Sequence, residues 1–384
     1  MVRPLFLLLF LSLQLSADVT ALYLTWVGDP ATTMTIQWHT PDREAGDTIY
    51  LQTVEGEWHP IEGSHHHLQY LLVHAVFLEK LDPDTDYQFR IGEDPTVYKF
   101  RTAPTTLDHP IRFVIGGDAF QTTKIFRRMN QTIVSLDPLF CVIGGDIAYA
   151  INRNPLRLQS TLFKRWISFL SEWKEQMVAP DGRLIPFLLA AGNHDITSDN
   201  YELFFSLFAL PEQQLYRAID FGSYLSLILL DTGHFQPIEG QQTLWLDQAL
   251  AARSDVSYRF AVYHEAAYPS FYPYNGATPR KIRTYWCPLF EKYNLPVAFE
   301  NHNHAFKRTF PIKGGVIDPA GVVYLGDGCW GAVPRKTHAM WYLDKRARLN
   351  NIYLVDLTLT GAKIQAIDLL GEPIDSITLH PVNK

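Results

Sequence analysis

The hydrophobic pattern changes character along the chain, and each change predicts a different kind of structure. Behind Arg3, the run Leu5 to Leu15 is almost wholly apolar and ends at the small residues Ser16 and Ala17. These features predict a secretory signal peptide over 1–17, cleaved after Ala17. An uncleaved anchor helix is the alternative, but the run is short for a span of about 20 residues. From 18 to 103, short β-rich runs alternate with turn residues: "ALYLTWVG", "TMTIQWHT", "DTIYLQTV" and "LLVHAVFLEKL". The Pro- and Thr-rich "RTAPTTLDHP" (101–110) reads as a linker. Beyond it come strand-length apolar runs: "IRFVIGGD", "LFCVIGGD", "LIPFLLAAGNHD", "YLSLILLDTG", "YRFAVYHEA" and "LPVAFENHNH". Between them, "STLFKRWISFLSEWKEQM" and "QQTLWLDQALAAR" carry helical periodicity. That alternation predicts an α/β layered domain over 110–384. Antiparallel strands close it, in "NIYLVDLTLTGAKIQAIDLLGEPIDSITL", with turns at Gly361 and at Gly371-Glu372-Pro373.

Composition fits two globular domains: 384 residues, 47% hydrophobic and 19% charged. The net charge of −7 argues against a general nucleic-acid binder, so no nucleic-acid partner is expected. It leaves room for an anionic substrate held by metal. The three cysteines, Cys141, Cys287 and Cys329, are odd in number and far apart, which gives no disulfide framework. Cys141 sits in an apolar strand and reads as a small core residue. No segment after the leader is long and apolar enough to cross a membrane, so a soluble exported chain, secreted or periplasmic, is expected. In the first module, "LDPDTDYQFRIG" places Tyr87 at a strand start after a proline turn. That predicts a tyrosine corner, and the module resembles a fibronectin type III-like sandwich. The triplet His65, His66 and His67 in "SHHHLQY" invites a metal reading. Neighbours on a strand point to opposite faces, so it is read as a polar loop.

The candidate chemistry lies at strand ends. Asp118 ends the first strand of the α/β part, and Asp146 ends the second with Tyr149 just beyond. Asn193, His194 and Asp195 end the third, His264 ends "YRFAVYH", and His302 and His304 end "LPVAFENHNH". In open α/β folds ligands bind beyond the carboxyl ends of strands, so these groups converge on one crevice. Carboxylates, imidazoles, an amide and a phenol are hard-to-borderline metal donors. They are too many for a Ser-His-Asp triad, and no "GxxxxGK" loop competes. Asp146 can bridge two cations about 3.5–4 Å apart. His302 and His304, two apart on an extended segment, project the same way, one toward each metal.

The blocks "GGDAFQ", "GGDIAYA", "AGNHD", "VYHEAAY" and "NHNHAFKR" resemble, in order, the five motifs of the metallophosphoesterases, and specifically of the purple acid phosphatases. The resemblance spans nearly the whole mature chain and implies a β-sandwich metallophosphoesterase domain flanked by helices, behind the small all-β domain. It implies Asp118, Tyr149 and His304 on a first metal, Asn193, His264 and His302 on a second, and Asp146 as the bridge. Phenolate and carboxylate suit Fe(III) at the first site, with divalent Fe, Zn or Mn at the second. His194 would contact the phosphate or the leaving oxygen, and Asp195 would orient its neighbours.

Three positions depart from that family's pattern. Phe120 stands where glycine is usual, and its ring either narrows the site or turns away. Asn301 stands where glycine precedes the paired histidines, a mild change if the position needs positive φ. "PSFYPYNGATPR" replaces a histidine pair, leaving Tyr272 and Tyr274 as substrate-binding candidates and the proton donor open. Arg280, Lys281 and Arg283 read as a solvated helix start, and "NQT" at 130–132 is a glycosylation sequon. The expected activity is hydrolysis of phosphate monoesters by a metal-bound hydroxide. A phosphodiesterase or nucleotide hydrolase is the alternative, and a non-catalytic adhesion protein with a vestigial site is a further one.

Overall fold

The computed structural model describes residues 19–41, 46–151, 160–197, 200–210 and 214–381; the expected signal peptide lies outside them. No described helix is long and apolar enough to cross a membrane.

The first module is two four-stranded antiparallel sheets. One orders Ala21–Thr25, Met34–Pro41, Leu71–Leu78 and Ser64–Leu68; the other orders His59–Glu62, Thr48–Thr53, Asp86–Ile91 and Tyr98–Arg101. Asp86–Ile91 alternates buried and half-buried positions, as a strand with one covered face must. The Tyr87 hydroxyl accepts the Asp82 amide proton at 2.8 Å, which is the expected corner. "SHHHLQY" is not a loop. Its residues 64–68 form an edge strand registered on Leu71–Leu78, because the apolar partner strand supplies a ladder that local polarity cannot oppose.

The larger part is a sandwich of two sheets. A six-stranded sheet orders Phe187–Ala190, Phe140–Gly144, Ile111–Gly116, Asn351–Leu357, Ala362–Asp368 and Pro373–Leu379; its first three strands are parallel and the C-terminal ones antiparallel. A seven-stranded sheet orders Arg217–Phe221, Leu225–Leu229, Tyr258–Val262, Val297–Phe299, Val323–Gly326, Phe306–Thr309 and Leu343–Ala347. Phe113 and Ile115 point into the core between the sheets, and Val114 points out to the layer under the helices Thr123–Ser135 and Ser160–Gln176. Burial on both faces explains why these strands read as continuous apolar runs. On the opposite side, Gln241–Ala251, Ala277–Tyr285 and Cys287–Lys292 cover Ile228, Ala261 and Ala298.

Two expectations change here. The segment 101–110 is no free linker: Ala103 and Leu107 are buried, and the Tyr224 hydroxyl donates to the Pro104 carbonyl at 3.0 Å. The helix Thr123–Ser135, whose stripe of Phe126, Met129 and Ile133 went unrecognised, buries Asn130 of the sequon completely. Its Oδ1 accepts the Trp330 indole proton at 2.8 Å, so the folded chain offers no acceptor for a glycan there.

Candidate metal centre

The parallel strands of both sheets end at one crevice, and the predicted donors meet there. Tyr149 Oη lies 2.8 Å from Asp118 Oδ1 and 2.9 Å from His304 Nε2, and those two atoms are 2.9 Å apart. Three nearly equal edges form a triangle that a cation with bonds of about 2.0–2.2 Å can cap. Beside it, His264 Nε2 lies 3.1 Å from Asn193 Oδ1, 3.1 Å from His302 Nδ1 and 3.3 Å from Asp146 Oδ1. Two groups of possible ligands emerge: Asp118, Asp146 and His304, and Asp146, His264 and His302. Asp146 belongs to both.

The donor set fits a pair of cations on a specific observation. His264 Nδ1 faces the Gly144 carbonyl at 3.1 Å, and a proton donated there leaves Nε2 with a lone pair. That lone pair faces an amide oxygen, a carboxylate oxygen and another imidazole nitrogen, a crowd of acceptors that positive charge resolves. Protons answer the same crowding. Burial opposes charge on His264, but the Asp146 carboxylate outweighs it and lifts the imidazole to about 10. Burial likewise opposes ionising Asp146, yet His264 and then His194 pull its carboxyl well below the usual range. Burial, with Asp118 and Asp146 adding to it, pushes the Tyr149 phenol well up. Burial and the neighbouring His264 hold His302 well below the usual imidazole range.

The surrounding residues fix the donors. Asp195 is buried and does not face the crevice openly; its oxygens accept the Ile147 amide at 2.8 Å and the Gly192 amide at 2.9 Å, tying two motif loops together. His194 stacks on Tyr149 with ring centroids 4.9 Å apart, and its Nδ1 donates to the Ile151 carbonyl at 2.5 Å. Its Nε2 lies 3.9 Å from Asp146 Oδ2, at the open side. Phe120 turns away, packing on Phe126 at 5.1 Å under the Arg165 guanidinium. Asn301 is absent from the positive-φ residues; His302 and His304 carry that conformation instead. The Asn301 side chain fills space that Gly117 and Gly144 leave, where an added Cβ would come within 2.4 and 2.1 Å of its amide atoms.

Tyr272 stacks on His302 with centroids 4.7 Å apart. Tyr274 does not reach the centre: its ring lies 3.6 Å from the Arg283 guanidinium and 5.4 Å from Tyr342. Those contacts brace the loop. Arg283 is no solvated helix-start residue either, since it donates to the Ala267 and Tyr274 carbonyls from the last turn of its helix. Two further groups escaped the sequence reading. Arg335 Nη1 donates to the Tyr272 hydroxyl at 2.9 Å and to the His302 carbonyl at 3.3 Å, setting a cation at the mouth. His234 lies 5.6 Å from His264, ring to ring. Arg335 lies outside the quoted apolar runs, whereas His234 directly follows "YLSLILLDTG", a position that could have pointed to it.

The profile of the purple acid phosphatase N-terminal domain matches residues 19–102, and that of the calcineurin-like phosphoesterases matches 111–306. The chain belongs to the calcineurin-like phosphoesterase family and carries the N-terminal domain of the purple acid phosphatases. An uncharacterised protein of Mycobacterium tuberculosis is 26% identical over 350 residues, covering 78% of this chain and 63% of that protein. Purple acid phosphatase 21 of Arabidopsis thaliana is 27% identical over 281 residues, covering 67% and 58%. The chain therefore spans about three-fifths of the length of these relatives. The purple acid phosphatase from yellow lupin (Lupinus luteus) seeds shares the fold, with a TM-score of 0.77 at 14% identity over 94% of this chain and 74% of that one.

Proposed function

We propose that this chain is an exported phosphatase that hydrolyses phosphate monoesters at a binuclear metal centre. The observation that carries it is the place of Asp146 in both ligand groups, since one carboxylate reaching two donor sets is what a bridged pair requires. Asp118, Tyr149 and His304 would hold the first ion, Asn193, His264 and His302 the second. Phenolate and carboxylate favour Fe(III) in the first position, and the amide–imidazole set favours divalent Fe, Zn or Mn in the second. Bound there, the cations supply Lewis acidity toward the phosphoryl oxygens and toward water.

The chain's own residues do the rest. Arg335, held by Tyr272 and the His302 carbonyl, presents positive charge to the phosphoryl group from the mouth. A monoester dianion gains more from that charge than a singly charged diester does, which favours the monoester over the diester reading. His194 Nε2 is placed to hold a phosphoryl or leaving oxygen, its ring fixed by Tyr149 and Ile151. Tyr272 keeps one face of His302 covered from water. The apolar leader supports export, and the N-terminal residue of the mature protein tests it: Asp18 is expected.

Asp146→Asn tests the assignment. Loss of monoester hydrolysis together with bound metal is expected, with the fold intact by circular dichroism. A variant that keeps its full metal content and activity overturns the bridging role. Rates on a monoester and a diester, compared under one condition, decide the substrate class.

A further inference from the structure

The N-terminal module brings together a second set of donors, far in sequence from the centre above. Asp47 stands just before Thr48–Thr53 in one sheet, and His65 and His74 belong to strands of the other. His65 and His74 are directly registered partners, so their side chains leave the same face. Both turn Nδ1 to the same carboxylate. His65 Nδ1 is 2.8 Å from each Asp47 oxygen, and His74 Nδ1 is 2.6 Å from Oδ1. The three ligand atoms lie within 4.8 Å of one another. The His74 ring is fixed from behind: Nε2 lies 2.8 Å from Thr40 Oγ1, and Trp38 stacks on it with planes 3° apart. Ligating histidines are oriented in this manner, by a bond at the other ring nitrogen and by packing. His66 points the opposite way, to the Ser206 carbonyl at 2.9 Å. That alternation is why the triplet lends His65 to the group and not its neighbour.

We propose that Asp47, His65 and His74 form a divalent-cation site, best matched to zinc, that staples the two sheets of the N-terminal module. Two imidazoles and a carboxylate are the borderline donors zinc takes. Bonds of about 2.0–2.2 Å put tetrahedral ligands about 3.3–3.5 Å apart, so the Asp47–imidazole pairs open by roughly 0.5–0.9 Å on loading. The mobile partners are the exposed ones: the side chains of His65 and Asp47 are 34% and 21% exposed. His74 is fully buried and stays as the anchor. Solvent reaches the site from the His65 side and completes the shell. Without the ion the trio is a hydrogen-bonded cluster at an edge strand; with it, the segment leading into one sheet is cross-linked to two strands of the other.

Zinc is the probe. The full-length chain, its His65→Gln variant and its Asp47→Asn variant are loaded with excess zinc, freed of unbound ion and assayed for zinc per chain. Each variant should lose one equivalent relative to the unaltered chain, keep its phosphoester hydrolysis, and lose the zinc-dependent part of its Tm. Equal zinc in all three overturns the site. Should a variant fold poorly and lose hydrolysis as well, imidazole-nitrogen NMR of the unaltered chain decides. Zinc must shift the Nδ1 resonances of His65 and His74, and unshifted resonances overturn the proposal.

Discussion

Asp118, Asp146, Tyr149, His302 and His304 hold φ values of +56°, +50°, +51°, +77° and +56°. Side chains ordinarily avoid that region, at about 1–3 kcal/mol each, so the folded scaffold holds these donors against their own preference. Gln69, Lys80 and Asn294 share that conformation in turns between elements; the five donors adopt it where the chain leaves a strand end at the crevice. Two substitutions address single residues. Arg335→Ala removes one charge-assisted contact worth about 1.5–3 kcal/mol, so KM for a monoester should rise roughly 10- to 100-fold. Steady-state kinetics check it, and an unchanged KM refutes the role. Tyr149→Phe should abolish any visible phenolate-to-iron absorption and lower metal content, read by spectrum and elemental analysis together. The donors were legible in the letters because each ends an apolar run. Arg335 was not, because it lies in an irregular segment after Cys329 and meets Tyr272 only in three dimensions.

At the scale of elements, the strand ends are held by a buried ionic cluster, two of whose members, Glu300 and Lys307, lie inside the quoted blocks without their pairing being legible there. Lys307, Glu300 and Asp327 are fully or almost fully buried; Lys307 Nζ donates to Glu300 and forms an ion pair with Asp327 at 2.8 Å. Glu300 accepts the Tyr263 hydroxyl at 2.7 Å and the Ala267 amide at 2.6 Å, and Asp327 accepts the Ser270 amide at 2.9 Å. The cluster therefore fixes the turn after His264 to the strand ends around His302 and His304. Burial raises the Asp327 carboxyl to about 6, with Lys307 opposing. Removing the lysine leaves two carboxylates in a dry interior, so Lys307→Met should destabilise the fold by about 3–5 kcal/mol. Urea titration measures it, and a loss below about 1 kcal/mol contradicts the structural role. The strands and the helices at 160–176 and 241–251 were readable because their periods are long and regular. The edge strand at His65 was not, since its pairing depends on Leu71–Leu78 and not on its own residues.

Over the whole molecule, the two modules share one apolar interior: Trp26, Trp38 and Phe89 join the cluster that contains Phe113 and Phe260. Their seam includes the Tyr23 hydroxyl, which donates to the Leu207 carbonyl and lies 3.1 Å from His39 Nε2. Burial, aided by His74, lowers His39 to about 3. The folded chain thus keeps this imidazole neutral while the unfolded chain protonates it near pH 6.5. The contribution of His39 to stability is complete above that value and is lost as pH drops toward about 3, by up to about 1.4 kcal/mol per pH unit. Denaturation at stepped pH should show that slope, and His39→Gln should flatten it; equal slopes refute the assignment. The buried connection at 103–107 could not be read from composition, because Pro and Thr mark a turn without saying what covers it.

The central claim is that seven scattered side chains hold two cations on a common carboxylate. Anomalous diffraction from crystals of the metal-loaded chain tests it most directly. Two peaks about 3.5–4 Å apart, with an Asp146 oxygen bound to each and the other six donors divided three and three, are the predicted result. A single peak, or a pair without Asp146 between them, contradicts it.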